Sequence, residues 1–159
     1  MKSLLKALPF ALLVAGAVQA ADPIEKQVLV TAVVPTAAFY VEPIGSDWMS
    51  DPQELPWNPL RSAFGEIRHQ LQAKSTIGPI TGYLLSPPVL TSGLDAIDLN
   101  VKVGATDLTT TSAEILTAAQ ATPGAIMDFV VTAKAPTSGS FTPGNYQGLV
   151  NMMFETAAP

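Results

Sequence analysis

The chain contains no cysteine, a single histidine (His69) and few charges: 13% of residues are Asp, Glu, Lys or Arg, against 48% apolar. Without cysteine there are no disulfides, no thiolate nucleophile and no thiolate metal ligand, so stability has to come from packing or from assembly. One histidine cannot make a two-histidine metal site, and no cysteine is present to replace the second. A Ser-His-Asp arrangement is formally open, but no nucleophile-elbow sequence surrounds any serine. His69 therefore reads as a solvated or half-buried strand residue. Gly144-Asn145-Tyr146-Gln147-Gly148 has neither phosphate-loop spacing nor a following lysine, and fits a tight turn. Asp95, Asp98 and Asp107 are too spread for a calcium loop. No metal, no cofactor and no catalysis are expected.

A leader is legible in the first twenty residues. Lys2 and Lys6 form a positive region, residues 4–17 an apolar core, and Val18-Gln19-Ala20 a signal-peptidase site. The core is shorter than the roughly 20 apolar residues of a membrane span. Residues 1–20 are read as a cleaved secretory signal, which leaves a length suited to one domain. Losing Lys2 and Lys6 takes the formal charge from −5 to −7. That acidity argues against nucleic acid and anionic lipid as partners.

The run Val28-Leu29-Val30-Thr31-Ala32-Val33-Val34 then stands out: uncharged, strongly β-prone and stopped by Pro35. Ile24, Val28, Val30, Ala32 and Val34 share one parity of a strand with Lys26 as the only polar member, so one face is almost wholly apolar. Left in water, such a strand is an aggregation template, and something has to cover it. Burying Ile24, Val28, Val30 and Val34 at about 1.5–3 kcal/mol each gives on the order of 6–12 kcal/mol before ordering costs.

From residue 37 the chain reads as short strands between turn signals. Residues 37–41 restart a strand, and residues 43–59 are proline-rich punctuation in which Trp48 and Trp57 act as lids on a core edge; a sugar platform is the lesser reading. Residues 60–73 fit both a helix (Leu60, Phe64, Ile67, Leu71) and a strand (Ile67, His69, Leu71, Ala73), and the β-like surroundings favour the strand. Strands follow at 80–85, 89–91, 97–103, 108–111 and 126–133. One or two helical turns are expected within 112–121, with Ser112 as the cap. Residues 135–144 form a loop, and a closing strand over 146–156 carries Tyr146, Val150, Met152 and Phe154 on one side. The pattern describes an all-β immunoglobulin-like sandwich.

The ends of the chain carry a resemblance. Glu25-Lys26-Gln27-Val28-Leu29-Val30-Thr31-Ala32 is similar to the mature N-terminus of CFA/I-type (class 5, alternate chaperone pathway) major pilins. Residues 143–150, Pro-Gly-Asn-Tyr-Gln-Gly-Leu-Val, resemble their closing Gly-Asn-Tyr-x-Gly strand. Between them Leu55-Pro56-Trp57-Asn58-Pro59, Phe64 and Arg68 match the family's Leu-x-aromatic-x-Pro, Phe and Arg series, and residues 103–115 its strand-turn-Thr-Thr segment. Val33 and the early Pro35 depart from the pattern.

The resemblance implies an immunoglobulin-like sandwich that lacks its final strand. It assigns residues 21–35 as a donor-strand extension and residues 36–159 as the pilin domain. The donor face is Ile24, Val28, Val30, Ala32 and Val34, and the acceptor groove lies along Tyr146, Val150, Met152 and Phe154. Implied partners are identical or related pilin subunits, a periplasmic chaperone, an outer-membrane usher and a tip adhesin, with export through the periplasm to a surface fimbria. The residues agree: only Ala157-Ala158-Pro159 follow the last strand, and the one spare strand is the first. The alternative is a self-contained periplasmic or surface immunoglobulin-like binding module whose first strand folds into its own sheet.

Overall fold

Alternation of side chains decides the architecture. In β4 (Glu66–Ser75), Leu71, Ala73 and Ser75 are buried, whereas Glu66, Arg68 and Gln70 between the inward positions are exposed. A strand with one such face has to press it on a second layer. The computed structural model describes residues 38–137 and 139–156, all of which fall within the unit Val34–Pro159.

The larger sheet runs β1 (Phe39–Pro43), β4, β10 (Ala125–Ala133), β7 (Asp95–Val103) and β6 (Val89–Ser92), with β8 (Thr106–Leu108) also on β7. The second sheet runs β11 (Met152–Thr156), β5 (Ile80–Leu84) and β9 (Ala113–Leu116). A two-stranded hairpin, β2 (Trp57–Asn58) and β3 (Ala63–Phe64), stands apart from both. Every ladder in the two large sheets is antiparallel. Leu71, Ile80, Leu84, Val101 and Val103 are the largest fully buried apolar side chains. This is an all-β, immunoglobulin-like sandwich.

Registers fix its two ends. Phe39 pairs with Ser75, Ala125 with Ala73, and Thr156 with Ile80, so the chain enters the sandwich at the end where β4 finishes. At the other, far end, Val131 pairs with Ile67, Ala133 with Leu99, and Met152 with Leu84. Residues 57–64 lead directly into β4 and so sit at the far end, as does the β6–β7 turn at Gly93-Leu94.

Several elements differ from the sequence expectation. Strand wins over helix in residues 60–73, as expected, but it starts at Glu66 behind the separate hairpin. β1 runs through Pro43, which pairs with Leu71 and is tolerated because β1 is an edge strand. β8 begins at Thr106, directly after Gly104 (φ 59°) and Ala105, so the turn is tighter and residues 109–111 lie outside the strand. Ser112 caps nothing: residues 113–116 form β9, and the helical turn Ala118–Ala121 (α1) starts later. Its cap is Thr117, whose hydroxyl accepts from Gln120 N–H while Gln120 Oε1 accepts from Thr117 N–H.

Of the two tryptophans, Trp48 is the lid and Trp57 is not. Trp48 is buried in a 3₁₀ turn (Trp48–Ser50), stacked on His69 at 4.3 Å and on Phe129 at 5.1 Å. Its indole N–H is buried without a partner among the described residues. Trp57 is half-exposed and packs edge-on against Phe64 and Phe141. Trp48→Ala is expected to cost about 3–5 kcal/mol of stability by emptying the lid. Trp48→Phe keeps a ring on Phe129 and removes the orphan donor, and is expected to cost less than about 1.5 kcal/mol. Urea unfolding followed by circular dichroism checks both.

Candidate functional site

β11 is the edge strand of its sheet: among the described residues its ladder is with β5 alone. Met152, Phe154 and Thr156 oppose the buried Leu84, Gly82 and Ile80, so they face the core. Yet all three remain only half-buried, as do Phe39 and Val41 on β1, which among the described residues is an edge strand of the other sheet. Phe39, Val41, Met152 and Phe154 all pack on the common core without being sealed by it. Both edges therefore carry apolar side chains that are only partly covered. One more strand beside β11 would find unpaired backbone groups on its edge and apolar side chains beneath it.

Two features hold this edge in shape. Ser75 is fully buried, and its hydroxyl lies 2.8 Å from that of Thr156, tying the end of β11 to β4 in the opposite sheet. The same oxygen accepts from Ile77 N–H and Gly78 N–H, which fixes the turn that follows β4. Gly82 supplies the room: a Cβ there would lie 2.6 Å from Ile115 Cδ1 and 3.1 Å from Phe154 Cδ1. The Phe154 ring can lie over β5 only because that position has no side chain.

Of the expected groove residues, Met152 and Phe154 lie on the last strand, and Tyr146 and Val150 do not. All four are half-buried on the core, but β11 starts only at Met152. Upstream, Gln147 forms an isolated bridge with Thr91, the Tyr146 hydroxyl donates to the Thr142 carbonyl (2.9 Å), and Gly148 passes so close to the Val89 carbonyl that no side chain fits. The segment is held by β6 before it reaches β5, so it cannot be regular strand from Tyr146 onward. The expected donor residues Ile24, Val28, Val30, Ala32 and Val34 lie outside the described residues. Ser75, Gly82, Phe39 and Val41 were not singled out in the sequence; a serine at an inward position of β4 was the one readable signal.

The outer faces carry ordinary surface electrostatics. Arg68 bridges Glu66 (3.0 Å) and Asp128 (2.8 Å), and the Glu66 carboxylate, first by its hydrogen bond and then by its charge, holds the guanidinium more firmly protonated. Partial desolvation, with Glu155 nearby, raises the Tyr83 phenol. Among the described residues, no group of three or more His, Asp or Glu side chains is placed to hold a metal ion.

Residues 24–155 match the family described as CS1 type fimbrial major subunit. The chain belongs to that family. The structure of the CooA pilin subunit from enterotoxigenic Escherichia coli is similar in fold, with a TM-score of 0.60 at 22% identity, covering 74% of this chain and 87% of that one. No curated protein matches the chain. The protein is thus a structural subunit of a surface fimbria, polymerising with other pilin subunits, and not an enzyme.

For this pilin, Ser75→Ala is expected to cost about 1–3 kcal/mol, because the Thr156 hydroxyl and two turn N–H groups lose their partner. Gly82→Val should cost a similar amount by overpacking against Ile115 and Phe154. Chemical denaturation of the purified chain measures both.

Proposed function

We propose that this subunit polymerises head-to-tail by donor-strand exchange. The extension at residues 21–35 inserts into the groove of the next copy, with Ile24, Val28, Val30, Ala32 and Val34 on its floor and backbone bonds to β11. Before assembly a periplasmic chaperone covers the groove, and an outer-membrane usher passes the subunit to a growing fibre headed by a tip adhesin. Residues 1–20 direct export into the periplasm.

The observation that carries this reading is the edge of β11, with inward Met152 and Phe154 half-buried and no strand on its far side among the described residues. The family match begins at residue 24, so the apolar run lies within the matched span. An apolar strand and an apolar groove in the same chain type form a heterologous pair that does not close on itself, and such contacts build filaments.

Val30→Asp places a carboxylate in the apolar floor. It is expected to leave export intact and to abolish fibres, read by periplasmic immunoblot and negative-stain electron microscopy. Wild-type fibre yield would overturn the assignment. Fusing residues 22–35 behind Pro159 through a flexible linker should give a soluble monomer that melts well above the unfused chain. Equal melting temperatures would place the groove elsewhere.

A further inference from the structure

We infer that the far end of the sandwich, where Leu60 and Leu94 project, is the seat for the entry end of the neighbouring copy. This second subunit contact, built by the fold's two ends, rests on the donor-strand reading above.

The argument follows from lengths and directions. Eleven extended residues, 24–34, cover about 36 Å, and the ten residues of β4 span about 33 Å, so a seated donor runs the length of the sandwich. Residues 35–38 alone separate Val34 from Phe39, the first residue of the neighbour's β1. Fully stretched, the five steps from Val34 to Phe39 reach about 17 Å. Wherever Val34 finishes, the neighbour's entry end must lie within about 17 Å of it.

Direction then selects the end. β11 runs from the far end to the entry end, since Met152 pairs with Leu84 and Thr156 with Ile80. A donor parallel to β11 would finish at the entry end, where the subunit's own extension also leaves. Both neighbours would then compete for one end of each copy, and the chain of subunits would not propagate. An antiparallel donor, like every ladder in the two large sheets, finishes at the far end and leaves the entry end for the next joint.

The far end has the surface for this. Leu60, at the tip of the β2–β3 hairpin, is 97% exposed and Leu94, on the β6–β7 turn, fully so. They are the two most exposed large apolar residues described, and both stand on turns at the far end. The entry end offers Ile77, 38% exposed on the β4–β5 turn that Ser75 holds in place.

The absence of cysteine gives a clean test. Fibres are made from Leu60→Cys/Ile77→Cys and from Leu94→Cys/Ile77→Cys, treated with a short bismaleimide and then boiled in detergent to undo the donor strands. At least one pair is expected to give a ladder of four or more linked subunits, whereas each single variant stops at dimers. Intact fibres from both pairs with no ladder beyond the single variants would overturn the contact. As a second measurement, fibres carrying Leu60→Asp and Leu94→Asp should break up at a lower urea concentration than wild type, while the donor-fused monomer with the same changes melts as its parent does. Unchanged fibre break-up would also overturn it. If Val30→Asp still polymerises, the donor-strand reading itself fails; if it does not and the ladder is absent, only the end contact fails.

Discussion

A β-strand hydrogen-bonded on one side only is the constraint around which this molecule is arranged. β11 has its ladder to β5 and, among the described residues, nothing on its other edge, while Met152 and Phe154 beneath it are half in water. Each unpaired backbone group and each half-covered side chain costs free energy that one further strand would recover. The remainder of the sandwich is closed by ordinary means: five well-buried aliphatic side chains at its centre, the Trp48 lid over Phe129, and a capping box on the helical turn Ala118–Ala121. Among the described residues, then, a sealed centre stands beside an open edge at β11.

Ser75 shows how the edge is kept ready rather than allowed to collapse. A buried hydroxyl is tolerated only when its hydrogen bonds are made, and here one oxygen serves Thr156 and two turn amides. It holds the end of β11 in position before any partner strand arrives. Gly82 does the complementary job from below, leaving space for the Phe154 ring. An edge held in this way loses little conformational freedom when a strand pairs with it, so more of the apolar burial becomes binding free energy.

The fold class, most strand positions and the absence of a catalytic constellation were legible because they depend on period-2 alternation and on residue types that are simply not there. β4, β5, β7 and β10 all follow their apolar parity. What alternation could not show was pairing. Tyr146 and Val150 have the right parity for the last strand, but they are held by β6 through Gln147 and Thr91, a contact made by residues more than fifty positions apart. Ser112 looks like a helix cap, yet Ala113, Ile115 and Leu116 are drawn into β9 by the neighbouring β5, and the capping box one turn later takes over. The proposed donor face is a pattern in sequence, whereas the receptor proposed for it would be assembled from β1, β5 and β11, which lie far apart in the chain.

The bond between Ser75 and Thr156 has a mechanical side. A subunit in a surface filament is loaded in tension, and a pull directed along β11 meets the β5 ladder and, through Ser75, the opposite sheet as well. The load is spread over many weak bonds lying across its direction, which have to fail together rather than one at a time. With no cysteine in the chain, none of that resistance is covalent. Between the strands, every bond that resists such a pull is a hydrogen bond or an apolar contact, each of which can re-form after it breaks.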